Sequence, residues 1–291
     1  MTSATRPAWM PPRSVPPRLI ATDLDGTLLH DDHSVSERTV AALAAAEQAG
    51  IEVFFVTGRP ARWMDVVSDH VHGHGLAICG NGAALVDLHD ASGSPRFLKI
   101  RPLARAAALR TVSLLRTAAP GTSFAVERTG GLDQEPGYPP LLFETPALVA
   151  DAVALLTDAA ADSRGAVLKI LAFHPSMGPD AFLTLARAAV GDSVTITRSS
   201  RSALLEISGP GVSKASTLEL CCTERGIGAH EVVAFGDMPN DLDMLTWAGT
   251  SYAMGNAHPD ILAAASGRTV ANNDDGVAAV IEQILRDNAP A

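Results

Sequence analysis

The stretch Arg18–Asp32 reads RLIATDLDGTLLHDD. Its apolar lead, Leu19-Ile20-Ala21, runs directly into Asp23-Leu24-Asp25, and Gly26-Thr27 follow as a turn. A short apolar run without alternation is the pattern of a strand covered on both faces, as in a parallel sheet sandwiched by helices. Carboxylates at the end of such a strand are costly to desolvate and persist only where something holds them. Asp23 and Asp25 therefore mark a strand end that carries chemistry. The fold should bring other strand ends beside it.

Working outward, the alternation continues. SVSERTVAALAAAEQAG (34–50) reads as a helix with Ser36 as N-cap and Gly50 as its stop. IEVFFVTG (51–58) is a second buried strand, RPARWMDVVSDHV (59–71) a helix and GLAICGNGA (75–83) a third strand. A β-α-β-α-β series predicts a parallel sheet with right-handed crossovers. Then the style changes. ALVDLHDASGSPRFLKI (84–100) reads as a hairpin, and helices mixed with strands and hairpins run on to SVTITRSSRSALLEISG (193–209), as in an α+β layer. TSFAVERTGG (122–131) and PPLLFETP (139–146) read as strands, and ALVADAVALLTDAAAD (147–162) as a helix. After GPGVSK (209–214) the first style returns, with EVVAFGD (231–237) as a buried strand and GVAAVIEQILRD (276–287) as a closing helix. The reading is an α/β fold: a Rossmann-like doubly wound parallel-sheet core, residues 18–85 and 210–291, interrupted by an inserted α+β cap domain, residues 86–209. Residues 1–17 read as a mobile Pro-rich leader.

Composition narrows the function. The 291-residue chain is 47% hydrophobic and 19% charged, as folded domains are. Its formal net charge of −10 disfavours nucleic acid or an anionic membrane as partner, since both need a basic surface. An anionic small molecule stays open, because a local site can be positive on an acidic protein. The three cysteines, Cys79, Cys221 and Cys222, form no disulfide framework or thiolate metal motif, which fits the cytoplasm. No apolar run reaches the roughly 18 residues of a membrane span. A monomer or weak homodimer is expected.

Three predicted strands end in polar clusters: Asp23-Leu-Asp25-Gly26-Thr27, Thr57-Gly58-Arg59 and Gly236-Asp237-Met-Pro-Asn240-Asp241. In a parallel α/β sheet all carboxyl ends share one edge, where ligands bind. Any one cluster could be ordinary turn chemistry. Together, with Lys214 between them in sequence, they define a site.

The string DLDGTLL, then VTGR, then Lys214 in GVSKAS, then GDMPNDLDML, with NGA at Asn81–Ala83, resembles the haloacid dehalogenase superfamily, in its Cof-type, large-cap branch of small-molecule phosphatases. The resemblance runs from Arg18 to the C-terminal helix and is looser in the insertion. It implies a Mg²⁺-dependent phosphatase acting on small phosphorylated metabolites, sugar phosphates foremost, through an aspartyl-phosphate. Asp23 would be the nucleophile and Asp25 the general acid and base. Mg²⁺ would be held by Asp23, Asp237 and the backbone carbonyl of Asp25, with Asp241 beside it. Thr57, Asn240 and the N–H groups near Gly26 and Gly58 would take phosphate oxygens, and Lys214 would pair with phosphate and Asp23. Arg59 is either a substrate contact or a helix-start charge. A phosphomutase or phosphotransferase on the same fold, and a non-catalytic phosphate-binding regulatory module, are the alternatives. In the insertion, Arg128, Lys169 and Glu206 are candidates for substrate contact. His70, His72 and His74 read as an exposed loop rather than a metal site.

Overall fold

The computed structural model describes residues 15–68, 75–89, 95–140, 145–159, 163–198 and 202–288. The chain makes β1 (Leu19–Thr22), β2 (Glu52–Val56), β3 (Leu76–Cys79), β4 (Ala84–Asp87) and β5 (Arg96–Ile100). It then builds a second unit with β6 (Ser123–Arg128), β7 (Gly131–Gln134), β8 (Leu148–Val149), β9 (Val167–Phe173), β10 (Thr195–Thr197) and β11 (Leu204–Ser208). It returns with β12 (Val232–Gly236), β13 (Thr250–Ala253) and β14 (Gly267–Arg268).

The first sheet has the order β14-β13-β12-β1-β2-β3-β4-β5. It is parallel from β14 through β3. The central strands are mostly apolar, and every residue of β1 is buried. Thr22 lies beside Phe235 on one side and Phe55 on the other. That register delivers the next residues, Asp23, Gly236-Asp237 and Val56-Thr57, to a single edge. The Asp23 N–H continues the ladder to the Phe235 carbonyl (3.1 Å) before the chain leaves the sheet.

The second sheet, β10-β11-β9-β6-β7-β8, is antiparallel except for the parallel pair β7–β8. The helices Arg105–Ala118, Ala152–Thr157 and Pro179–Val190 share a hydrophobic core with it. Strand periodicity sorts the two faces. Phe124, Val126, Ile170, Ala172, Leu205 and Ile207 point to those helices. The alternate positions, including Glu127, Lys169, Leu171 and Glu206, take the opposite face.

The sequence reading and the structure part company in three places. The hairpin expected to open the insertion joins the first sheet instead: β4 pairs antiparallel with β3, and β5 with β4. Val86, read as the start of the insertion, is fully buried in the first core, and the second core begins at Leu103. The three-residue turn Gly80–Gly82 is too short to carry the chain out of the sheet, so it folds back on itself. Second, ALVADAVALLTDAAAD opens with β8, and its helical piece Ala152–Thr157 starts only after it, with the Asp151 carboxylate accepting from the Val153 N–H (2.8 Å); residues 160–162 lie outside the described residues. Third, RPARWMDVVSDHV opens with a turn at Ala61–Trp63 and its helix begins only at Asp65, the described part running to Ser68. The expected strand PPLLFETP includes residues 141–144, and the histidines His70, His72 and His74 fall in 69–74; both segments lie outside the described residues.

Candidate active site

After Asp23 the backbone makes a tight loop, Leu24–Leu28, closed by the Leu29 N–H on the Leu24 carbonyl (2.9 Å). The loop turns at Gly26, whose φ of 72° is open to glycine at little cost. A Cβ there would stand 2.4 Å from Asp237 Oδ2, so the loop lies hard against the Asp237 carboxylate. Thr27, one residue on, donates its hydroxyl to Asp237 Oδ1 (3.1 Å). Asn256 donates to the Gly26 carbonyl (2.8 Å).

Lys214 is the first residue of the helix Lys214–Glu224. Ser213 caps that helix: it accepts from the Ser216 N–H, and the Ser216 hydroxyl accepts from the Ser213 N–H in return. The cap aims the lysine into the sheet edge, where it is 1% exposed. Its ammonium donates to Asp23 Oδ1 (2.6 Å) and Asp241 Oδ1 (2.7 Å). Asp241 Oδ2 accepts from the backbone N–H groups of Asp237 and Met238 (both 3.1 Å). Asp241 therefore spends both oxygens on protein donors, whereas Asp23 and Asp237 each keep lone pairs facing the cluster.

Oxygens of Asp23, Asp237 and Asp241 lie within 4.8 Å of one another, and all three residues are buried. Burial, with Asp241 and Asp237 beside it, pushes the Asp23 carboxyl well above the usual range, and Lys214 only partly offsets this. Burial also raises Asp237 to about 7, with Asp241 adding to the shift. Burial would lower the Lys214 ammonium, but Asp23 and Asp241 together outweigh it and hold it above the ordinary lysine range. One ammonium thus faces three desolvated carboxylates. The surplus of hard oxygen ligands fits a small divalent cation. Asp23 and Asp237 would hold it, with the Asp25 carbonyl from the same loop, and Asp241 would position Lys214 and the Asp237 backbone.

The second cluster reaches the same edge. Thr57 is fully buried, and its hydroxyl accepts from the Arg59 N–H (3.0 Å). A Cβ on Gly58 would meet Asn81 Oδ1 at 3.3 Å and Glu206 Oε1 at 3.5 Å, so both units crowd the Gly58 backbone. Asn240 donates to Asn81 Oδ1 (3.0 Å), bracing the third cluster against the turn after β3. Asn81 itself sits at φ 56°, a conformation asparagine tolerates better than most residues. Arg59 closes on Asp25 in a bidentate pair, Nε to Oδ2 at 2.8 Å and Nη2 to Oδ1 at 2.5 Å. The Asp25 side chain is 49% exposed at the mouth of the site, while Asp23 is at its floor. The guanidinium thus grips the second carboxylate of the opening motif.

Over this edge the second sheet lays its free face, and between them lies an open-mouthed cleft of about 220 Å³. Asp23, Asp25, Arg59 and Asn240 line it from below, and Glu127, Lys169 and Glu206 from above. The lysine donates to the Gly58 carbonyl (2.8 Å) and to Glu206. Glu127 is gripped by Arg62 of the core at 2.6 and 3.0 Å. Lys169 and Glu206 are thus placed at the site, and Arg128 is not: it is buried in the second unit against Asp133 and the carbonyls of Gly165 and Leu155. Sequence reasoning missed Glu127 and Trp63, a further wall residue. The signal for Glu127 was its position, one residue from Arg128 and so on the opposite face of the strand. Cys79, Cys221 and Cys222 are free, buried thiols, and burial raises Cys79 to about 12, so none is poised as a nucleophile.

Residues 20–281 match the haloacid dehalogenase-like hydrolase family. The chain is 32% identical over 255 residues to the HMP-PP phosphatase of Cronobacter sakazakii, covering 84% of this chain and 87% of that protein. It is 28% identical over 283 residues to the 5-amino-6-(5-phospho-D-ribitylamino)uracil phosphatase YitU of Bacillus subtilis, covering 92% and 97%. In fold it is similar to BT1666 of Bacteroides thetaiotaomicron, a phosphatase of the same superfamily, with a TM-score of 0.77 at 22% identity over 97% of this chain and 99% of that one.

Proposed function

Because the chain belongs to the haloacid dehalogenase-like hydrolases, we propose that it is a cytoplasmic Mg²⁺-dependent phosphatase of small phosphorylated metabolites, sugar phosphates foremost, working through an aspartyl-phosphate. One observation carries the reading: Asp23 stands at the floor of a cleft between the two sheets with its carboxylate held by Lys214 at 2.6 Å, beside Asp237 and Asp241. A carboxylate so held is oriented for attack on phosphorus rather than dispersed among surface rotamers.

In the first step an Asp23 oxygen forms a bond to phosphorus and the bond to the alcohol oxygen breaks. Asp25, having taken up a proton from solvent on the oxygen it turns to the leaving group, gives the alcohol oxygen that proton. In the second step water attacks phosphorus, Asp25 takes its proton, and the bond to Asp23 breaks to release inorganic phosphate. When bound, Mg²⁺ supplies the positive charge that lets an anionic phosphoryl group approach an anionic carboxylate. Lys214 holds Asp23 in line and adds fixed positive charge beside the transferring group. Thr57 and the N–H groups of the loops at Gly26 and Gly58 sit at the same edge as donors to phosphoryl oxygens. Asp25 turns one carboxyl oxygen towards the departing oxygen and keeps Arg59 on the other, so Arg59 stays paired while substrate is bound. The second unit excludes bulk water, which protects the acyl phosphate until Asp25 admits one molecule.

The test is turnover of p-nitrophenyl phosphate with Mg²⁺. The wild type should release phosphate, and Asp23→Asn should lose at least about 10³-fold in kcat. An inactive wild type across a broad panel of phosphate monoesters, or a fully active Asp23→Asn, would refute the proposal.

A further inference from the structure

The charges above the phosphate site point to the chemistry of the leaving group. Among the described residues that line the cavity, each cation is already engaged by carboxylate. Arg59 is closed on Asp25 through two hydrogen bonds, and Lys169 lies between Glu206 and the Gly58 carbonyl. Lys214 is committed to Asp23 and Asp241 at the floor. Behind the wall, Arg62 holds Glu127. Lys169 and Glu206 are 4% and 5% exposed, so this pair is a desolvated part of the wall and not a screened surface contact.

A second anion brought here would face Asp25, Glu127 and Glu206 with no uncommitted positive partner among the described residues. It would bind only by displacing a carboxylate from its cation, and Glu127 or Glu206, once displaced, would stay buried. A hydroxyl has no such difficulty. A carboxylate paired with one cation still has lone pairs for an O–H, and alcohol oxygens can accept in turn from Lys169. Trp63, Leu171 and Leu204 supply an apolar wall for carbon-bound faces. Resting on the phosphatase reading, we propose that the second unit acts as a charge sieve: it admits phosphomonoesters of uncharged, hydroxyl-rich alcohols and rejects those whose alcohol carries a second anionic group, with the Lys169–Glu206 pair as the discriminating element.

Two matched pairs test this, each differing by one carboxylate: sorbitol 6-phosphate against 6-phosphogluconate, and glycerol 3-phosphate against 3-phosphoglycerate. With Mg²⁺ present, kcat/KM should favour the polyol of each pair by about tenfold or more, as juxtaposed like charges in a desolvated site demand. Glu206→Gln removes the partner of Lys169, and should narrow the ratio by raising turnover of the acids. A smaller ratio in either pair overturns the sieve. So does a ratio that Glu206→Gln leaves unchanged or widens, and so does turnover of p-nitrophenyl phosphate with neither polyol hydrolysed. Where the variant does not fold, the wild-type ratios decide. Absence of turnover on p-nitrophenyl phosphate as well would defeat the phosphatase reading itself, which is a distinguishable result.

Discussion

Gly26 shows how much of the site depends on what a residue lacks. Its φ of 72° and the 2.4 Å that would separate a Cβ from Asp237 Oδ2 are independent constraints, and glycine alone meets both. Alanine would have to push back either the loop that carries Asp23 and Asp25 or the Asp237 carboxylate. Displacements on the order of 1 Å at reacting groups cost about 10²-fold in rate. Gly26→Ala should therefore lose at least about that in kcat, while far-ultraviolet circular dichroism stays that of the wild type. Retained activity in the variant would show that the loop and Asp237 are not held in register. In the sequence only Asp23 and Asp25, carboxylates at the end of a buried strand, stood out singly; Gly26, Thr57, Lys214 and Asp237 were readable only as clusters at neighbouring strand ends and through the family resemblance. Arg59 was not legible in the same way. Its partner, Asp25, is far away in sequence, and an arginine at a helix start looks alike whether it faces solvent, substrate or a carboxylate.

Elements bring these residues together, and the helix Lys214–Glu224 is the clearest case. Its start is fixed by the reciprocal Ser213–Ser216 cap, and Arg101 from the core donates to Ser216 and Thr217 hydroxyls at 2.7 Å each. Lys214 occupies the first helical position, so fraying there moves the ammonium away from Asp23. Ser213→Ala should cost about 1 kcal/mol of stability, the usual value of an N-cap. It should also lower kcat more than it raises KM, because the misplaced group acts on the reacting carboxylate. Urea denaturation and steady-state kinetics on the same preparation would check both; a loss of stability with kcat unchanged would mean the cap does not aim the lysine. At this scale the alternation of strand and helix was readable from periodicity alone. Which face of β6, β9 and β11 met the core was not. Period-two patterning separates Val126 from Glu127 but assigns neither to the helices nor to the site. The β4–β5 hairpin was misassigned for a similar reason: a turn and two short strands read alike whichever sheet they extend.

The two units of the whole molecule enclose a site whose charges do not balance without a cation, and this makes stability, pH and metal one problem. Burial lifts Asp23 well above the usual range and Asp237 to about 7, while in the unfolded chain both should titrate near the ordinary value of about 3.9. The folded metal-free protein therefore binds protons more tightly than the unfolded chain over that interval. The stability it gains is complete below about pH 4 and is lost as the pH rises through about 7. A divalent cation reverses the preference, since it is held by the deprotonated carboxylates. The melting temperature of protein freed of metal by chelation should fall between pH 5 and pH 8. The increment on adding Mg²⁺ should grow over the same range, towards about 2.7 kcal/mol at a concentration a hundredfold above Kd. Asp237→Asn removes the carboxyl that burial raises to about 7 and one proposed ligand at once, so its metal-free form should lose much of the pH slope and its Mg²⁺ increment should shrink. Scanning calorimetry at matched ionic strength separates these terms, because surface pairs respond to salt and the buried cluster does not. An increment that is equal at both pH values, or larger at pH 5, would show that the three carboxylates are not the groups whose protons the metal displaces.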